Sequence, residues 1–189
     1  MNTQSNVNDL DISIRVGMFN LQDGTNVAQI DEKTRCKVRS IVALVDETHH
    51  YALGMCPVKM MLPFSFSCLR VMTTEITSGR EATKFLLEEA AKRNVELPAA
   101  EFCVNYERSG IRKGEAFLPS FKEVQQMQKS ALLEAWRKVG LHTGDRTFVC
   151  TGIGYDFNVW LQSFSSNVIS GWYNQYRTFG VIPVVEIPL

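Results

Sequence analysis

The sequence predicts an α+β domain in which β-type segments open and close the chain and two helices lie between them. Three observations predict it. Val38–Asp46 is a β-branched, apolar run of strand length. Two S-x-x-E capping boxes, Ser78 with Glu81 and Ser120 with Glu123, each head an apolar stripe of helical spacing. After Gly140 only short β-type runs follow, cut by Gly, Ser and Asn. Strands, helix, helix, strands is the order of an α+β fold and not of a βαβ alternation.

Taken in order, residues 1–13 are polar and rich in Asn and Asp, which predicts a flexible arm or one that orders only against a partner. A single domain is expected over residues 14–189. Val16-Gly17-Met18-Phe19 leads to Asp23-Gly24-Thr25, and Asp-Gly is a turn signal between extended segments. Ile41, Val42, Leu44 and Val45 form the buried centre of the next strand, with Tyr51–Met55 as its antiparallel neighbour after a turn at Glu47–His50. The stretch holding Met55, Cys56, Pro57, Met60, Met61, Leu62, Pro63, Phe64 and Phe66 is apolar without helix or strand periodicity, and reads as core or subunit contact. A helix over 77–94 places Ala82, Phe85, Leu86 and Ala90 on one face. The second helix, from Ser120, has its stripe at Val124, Met127, Ala131, Ala135 and Trp136, with Gly140 as C-cap. Strands are predicted at Thr147–Cys150, Val159–Phe164, Val168–Tyr173 and Val181–Ile187.

Composition narrows the function. The chain has 189 residues, enough for one domain with a sizeable core. Lys plus Arg and Asp plus Glu both number 20, so formal charge is zero. This argues against nucleic-acid binding, which needs a basic face, and against adsorption to anionic membranes. No window approaches the ~18–20 apolar residues of a spanning helix, so no membrane insertion is expected. The first residues lack a basic and an apolar region and do not read as a signal peptide. Release within a virus particle, or removal of a leader, would account for that. Cys36, Cys56, Cys68, Cys103 and Cys150 are widely spaced without a CxxC, so they read as reduced, mostly buried thiols and not as a zinc site.

Several segments, in order, resemble one family. Val16-Gly17-Met18-Phe19 with Asp23-Gly24-Thr25 is similar to its GDYYYSDGT opening. Ile41–Asp46 and His50–Leu53 are similar to GIVFYVD and HGL. Gly79–Thr83, Pro98–Cys103 and Tyr106 are similar to DGKANT, PAAQYC and a following Tyr. Gly114–Val124 is similar to GWYLPSxGEL, the most specific of these. In the tail, Cys150–Gly152, Val159-Trp160, Ser163-Phe164 and Val181–Val184 stand where the family has SST, AW, SF and VRPV. The family is the DUF1566-type C-type-lectin-like domain of gut Bacteroidetes and their phages, and the likeness spans roughly residues 16–187. Departures are Phe117 for Trp or Tyr, Ile182 and Val185 for two arginines, and Phe148–Thr151 for YWSS.

The resemblance implies a C-type-lectin-like fold, with two helices flanking small antiparallel sheets and loops that carry recognition. It further implies a non-catalytic module, most simply a virion-associated fibre, tail or capsid-decorating protein of a phage. Its partners would be other virion proteins, or a glycan or protein of the host surface, and the same analogy admits a homo-oligomer. The alternative is a bacterial cell-surface, adhesin-like protein, and a further alternative is a cytoplasmic enzyme.

The residues themselves point to one region. Tyr155, Asp156, Asn158, Gln162, Ser165, Asn167, Trp172, Tyr173, Asn174, Gln175, Tyr176 and Arg177 combine aromatic rings with amides and hydroxyls, the mix of adaptable binding surfaces. Trp160 and Phe164 read as core. Trp172, Tyr173 and Tyr176 fit surface binding or core and subunit contact equally. No metal or cofactor is expected. Pro183 lies between Ile182 and Val184, which offer no side-chain oxygen to calcium. His49 and His50 read as solvated, and beside them only His142 is present. No HExxH, GxSxG or phosphate loop occurs. The paired C-terminal cysteines of formylglycine-generating enzymes reduce here to Cys150.

Overall fold

The computed structural model describes residues 13–48, 50–127, 129–141, 147–154, 156–163 and 170–189. Two five-stranded sheets carry the fold. The first contains β1 (Phe19–Leu21), β2 (Asn26–Val27), β3 (Val38–Asp46), β4 (Tyr51–Met55) and β10 (Val184–Pro188), in the order β10-β4-β3-β1-β2. Every pairing in it is antiparallel. The first and last strands therefore share a sheet. The second contains β5 (Met60–Pro63), β6 (Thr147–Ile153), β7 (Val159–Ser163), β8 (Gly171–Tyr173) and β9 (Thr178–Val181), in the order β5-β9-β6-β7-β8. Only β6 and β9 run parallel there, meeting at Phe148 and Gly180.

Five helices are described, where the sequence predicted two: α1 (Glu32–Arg35), α2 (Gly79–Arg93), α3 (Pro98–Val104), α4 (Phe121–Gln126) and α5 (Lys129–Lys138). α2 starts where its capping box placed it, with the Ser78 side chain accepting from the Glu81 amide, and it ends at Asn94 in the left-handed conformation. α3 begins with Pro98 in the first turn, a position where a missing N–H costs nothing. The predicted second helix is two helices. Met127 turns to extended backbone (ψ 133°) and ends α4, and of the predicted stripe Val124, Met127, Ala135 and Trp136 are buried as expected while Ala131 gives way to its neighbour. Leu132 is fully buried while Ala131 is only half-buried.

The predicted strand Val181–Ile187 is also divided. Pro183 cannot donate to a ladder, and the chain crosses there from β9 in the second sheet to β10 in the first. Beyond it, Val184 and Phe117 exchange backbone hydrogen bonds of 2.9 and 3.0 Å. β5 is an element the sequence did not suggest. It is an edge strand with Met60 and Met61 about half exposed, so no alternation marks it.

Two main cores follow from this layout. One joins Ile41, Leu53 and Met55 of the first sheet to Val124, Leu132 and Trp136 of α4 and α5. The other joins Leu86 of α2 and Ala99, Ala100 and Cys103 of α3 to Ile153, Val159 and Phe179 of the second sheet. Full burial of an aliphatic side chain such as Leu86 contributes ~1.5–3 kcal/mol. Of the five cysteines, Cys56, Cys103 and Cys150 are buried, Cys68 is half-buried and Cys36 is exposed, all as free thiols. No described helix is long and apolar enough to cross a membrane.

Candidate functional site

The β6–β7 turn and the β8–β9 connection lie side by side at one end of the second sheet. Ile153 pairs with Val159 across β6 and β7. Gly154 N–H donates to Asn158 O and Phe157 N–H to Gly154 O, each at 3.0 Å. Phe157 takes φ +54°, a left-handed conformation unusual for an aromatic residue. It is held there by Gln175, whose Nε2 donates to Phe157 O at 2.6 Å.

Trp172 on β8 is opposite Trp160 on β7. Its ring stacks on Phe121 at 5.6 Å between centroids and meets Trp160 edge-on at 5.2 Å. It also lies over Gly154, where a Cβ would come within 3.1 Å of the indole. Despite these contacts Trp172 is 42% exposed. It walls a pocket of about 220 Å³ together with Thr74, Gly154, Asp156 and Asn158. A smaller hollow of about 60 Å³ adjoins it, sharing Asp156 and Asn158 and flanked by Cys68, Asn174 and Tyr176. Tyr176 is half exposed.

The structure thus brings together Asp156, Asn158, Trp172, Asn174 and Tyr176 of the predicted surface, with Arg177 exposed beside them in sequence. Three predicted surface residues are turned inward, although Gln175 still borders the smaller hollow. Gln175 is 2% exposed: its amide gives Nε2 to Leu69 O and Phe157 O, and its Oε1 accepts from Leu69 N–H at 3.1 Å. Gln162 is likewise buried, donating to Ser163 O and to Ser170 Oγ, each at 3.0 Å, and accepting from Trp160 Nε1. A buried amide must have such partners, and both glutamines use their polar atoms to tie loops together. Tyr173 is half-buried against the second core, its ring 6.1 Å from that of Phe179. Tyr155, Ser165, Asn167, Phe164, His49, His142 and residues 1–12 lie outside the described residues. Trp160 is half-buried against the first core. Thr74 and Cys68 were not legible as site residues, because nothing in their local sequence signals proximity to the C-terminal turns.

Buried ionisable groups elsewhere act structurally. Burial pushes the Glu123 carboxyl up, against the opposing pull of the Gly79 and Ser120 amides that it accepts. Burial pushes the Cys150 thiol up to about 12, and Gly152 N–H donates to its sulfur. Neither lines the two hollows beside Trp172. A larger groove of about 510 Å³ runs between residues 13–18 and α5, where Glu134 and Lys138 pair with each other at 3.1 Å. Among the described residues no group of three His, Cys, Asp or Glu could hold a metal ion.

No family model matches the chain, and no curated protein matches it in sequence. A solved structure is similar in fold: a fimbrial protein from Bacteroides ovatus, with a TM-score of 0.64 and 13% identity. The match covers 90% of this chain and 48% of that one, so this chain spans about half of the fimbrial protein's length.

Proposed function

We propose that this chain is a non-catalytic binding module of a surface-exposed assembly, and that the rim around Trp172 is its recognition surface. One observation carries the reading: a tryptophan immobilised by Phe121 and Trp160 is nonetheless 42% exposed beside a pocket. Exposed aromatics held rigidly on a scaffold are what binding hot spots require, since little side-chain entropy is lost on contact. The fimbrial likeness supports a bacterial surface appendage over the phage particle that the sequence resemblance suggests. Met60 and Met61, exposed on the β5 edge, suit a contact with another subunit of such an assembly, of the same or another kind.

Immunogold labelling of the producing cells, alongside any particles they release, tests the setting. Label on cell-surface appendages is expected; label confined to phage particles would move the module to the virion, and label confined to the cytoplasm would end the reading. Binding of the fluorescently labelled chain to intact bacterial and epithelial cells tests the surface. Tyr176→Ala should weaken it at unchanged melting temperature, and Trp172→Ala should abolish it with some loss of stability, since its ring also packs on Phe121 and Trp160.

A further inference from the structure

We infer that the pocket beside Trp172 takes one neutral pyranose ring of a surface glycan, held by the indole and by hydroxyl contacts to Asp156, Asn158 and Thr74. This rests on the binding-module reading and specifies its ligand. The indole comes first. It is fixed by a stacked and an edge-on neighbour, so its exposed part is a rigid apolar ledge. The C–H face of a pyranose is flat enough to lie on such a ledge and shed water from it.

The polar groups select among ligands. The side chains of Asp156, Asn158 and Thr74 make no hydrogen bond to any other described residue, so their capacity is open to a ligand. A carboxylate only accepts, an amide both donates and accepts, and a hydroxyl does either. Adjacent sugar hydroxyls, each donor and acceptor at once, match that mixture. An acceptor-only Asp156 disfavours uronic or sialic acids by like-charge repulsion. A lysine or quaternary ammonium would call for acceptors and several enclosing rings. Among the described residues the pocket has one ring, and two of its three polar side chains can donate.

Size points the same way. At about 220 Å³ the pocket is below the ~300–1,000 Å³ of drug-sized ligand sites, which suits a single ring. The adjoining hollow, about 60 Å³, shares Asp156 and Asn158 and is flanked by exposed Tyr176, so it has room for a substituent of the bound ring and not for a second ring.

The test uses the full chain and the methyl pyranosides of glucose, galactose, mannose and N-acetylglucosamine, read by tryptophan fluorescence and saturation-transfer NMR. At least one should saturate at millimolar concentration, with glucuronate weaker and EDTA without effect. Trp172→Ala should weaken binding about tenfold or more. Asp156→Ala and Asn158→Ala should each weaken it several-fold at unchanged melting temperature, and they carry the test if Trp172→Ala unfolds. Failure of all four pyranosides, loss on adding EDTA, or saturation by N-acetyl-lysine methyl ester in their place would overturn the inference. If the labelled chain still bound cells through Trp172, the broader reading would survive that result; if it did not, both would fall.

Discussion

The carboxylate of Glu123, on α4, accepts the backbone N–H of Gly79 at the start of α2, 3.0 Å away and 44 residues earlier in the chain. Its other oxygen accepts from Ser120 N–H at 2.6 Å. One side chain thus serves two helix starts, and Gly79 has no room for a Cβ, which would sit 2.4 Å from Leu118 O. Glu123→Ala would leave two buried amide donors without acceptors, while relieving the burial of a charge. The expected net loss is about 2–4 kcal/mol, measured by urea unfolding. A loss below ~0.5 kcal/mol would mean that the two helix starts are held by packing alone.

Gly54 sits in β4 between β3 and β10, and a Cβ there would come within 2.2 Å of Ser40 Oγ and 2.9 Å of Ile187 Cδ1. Gly54→Ala should therefore destabilise by about 1–3 kcal/mol, the range for an overpacked core. Melting temperature reads the effect. An unchanged value would show that the first sheet opens more easily than its packing implies.

Gln175 and Tyr176 are neighbours with opposite duties. Gln175→Ala removes three hydrogen bonds to Leu69 and Phe157 and should cost about 2–3 kcal/mol. Tyr176→Ala, at a half-exposed ring, should stay within ~0.5 kcal/mol. Side-by-side denaturation curves check the contrast, and equal losses would contradict it.

Alkali should destabilise the fold in a defined window. Burial holds the thiol of Cys150 up at about 12, and Tyr51 and Tyr106 are also pushed up to about 12, chiefly by burial. In the unfolded chain these groups lose their protons earlier, the thiol near 9. Raised folded values mean that their stabilisation is complete at lower pH and is lost as pH climbs through the interval from about 9 to about 12. For Cys150 alone the loss is on the order of 4 kcal/mol. Urea midpoints across this range should fall for the native chain and fall less for Cys150→Ala; parallel curves would assign the effect to other groups.

Much of the scaffold was legible because burial writes periodicity. The β3 run is buried from Ser40 to Leu44 and reads as a continuous apolar stretch, and α2 announces its own start through Ser78. The break at Met127 was not legible, since neither Gly nor Pro marks it and the backbone turns to suit the core. The rim was half legible. Aromatic and amide residues at 155–178 signalled a surface, but composition cannot distinguish an amide that displays itself from one that anchors a loop, and Gln162 and Gln175 do the latter. Thr74 enters the pocket only through tertiary folding.

The buried clip at Gln175 has an evolutionary corollary. Gln175 anchors the loop from within and Asn174 Oδ1 accepts the Tyr176 N–H at 2.9 Å, so the outward side chains of Tyr176 and Arg177 are free to mutate without unmaking the support beneath them. With the proposed recognition role, a lineage could rewrite those two letters one at a time, and a library randomised there should yield mostly folded variants with altered binding.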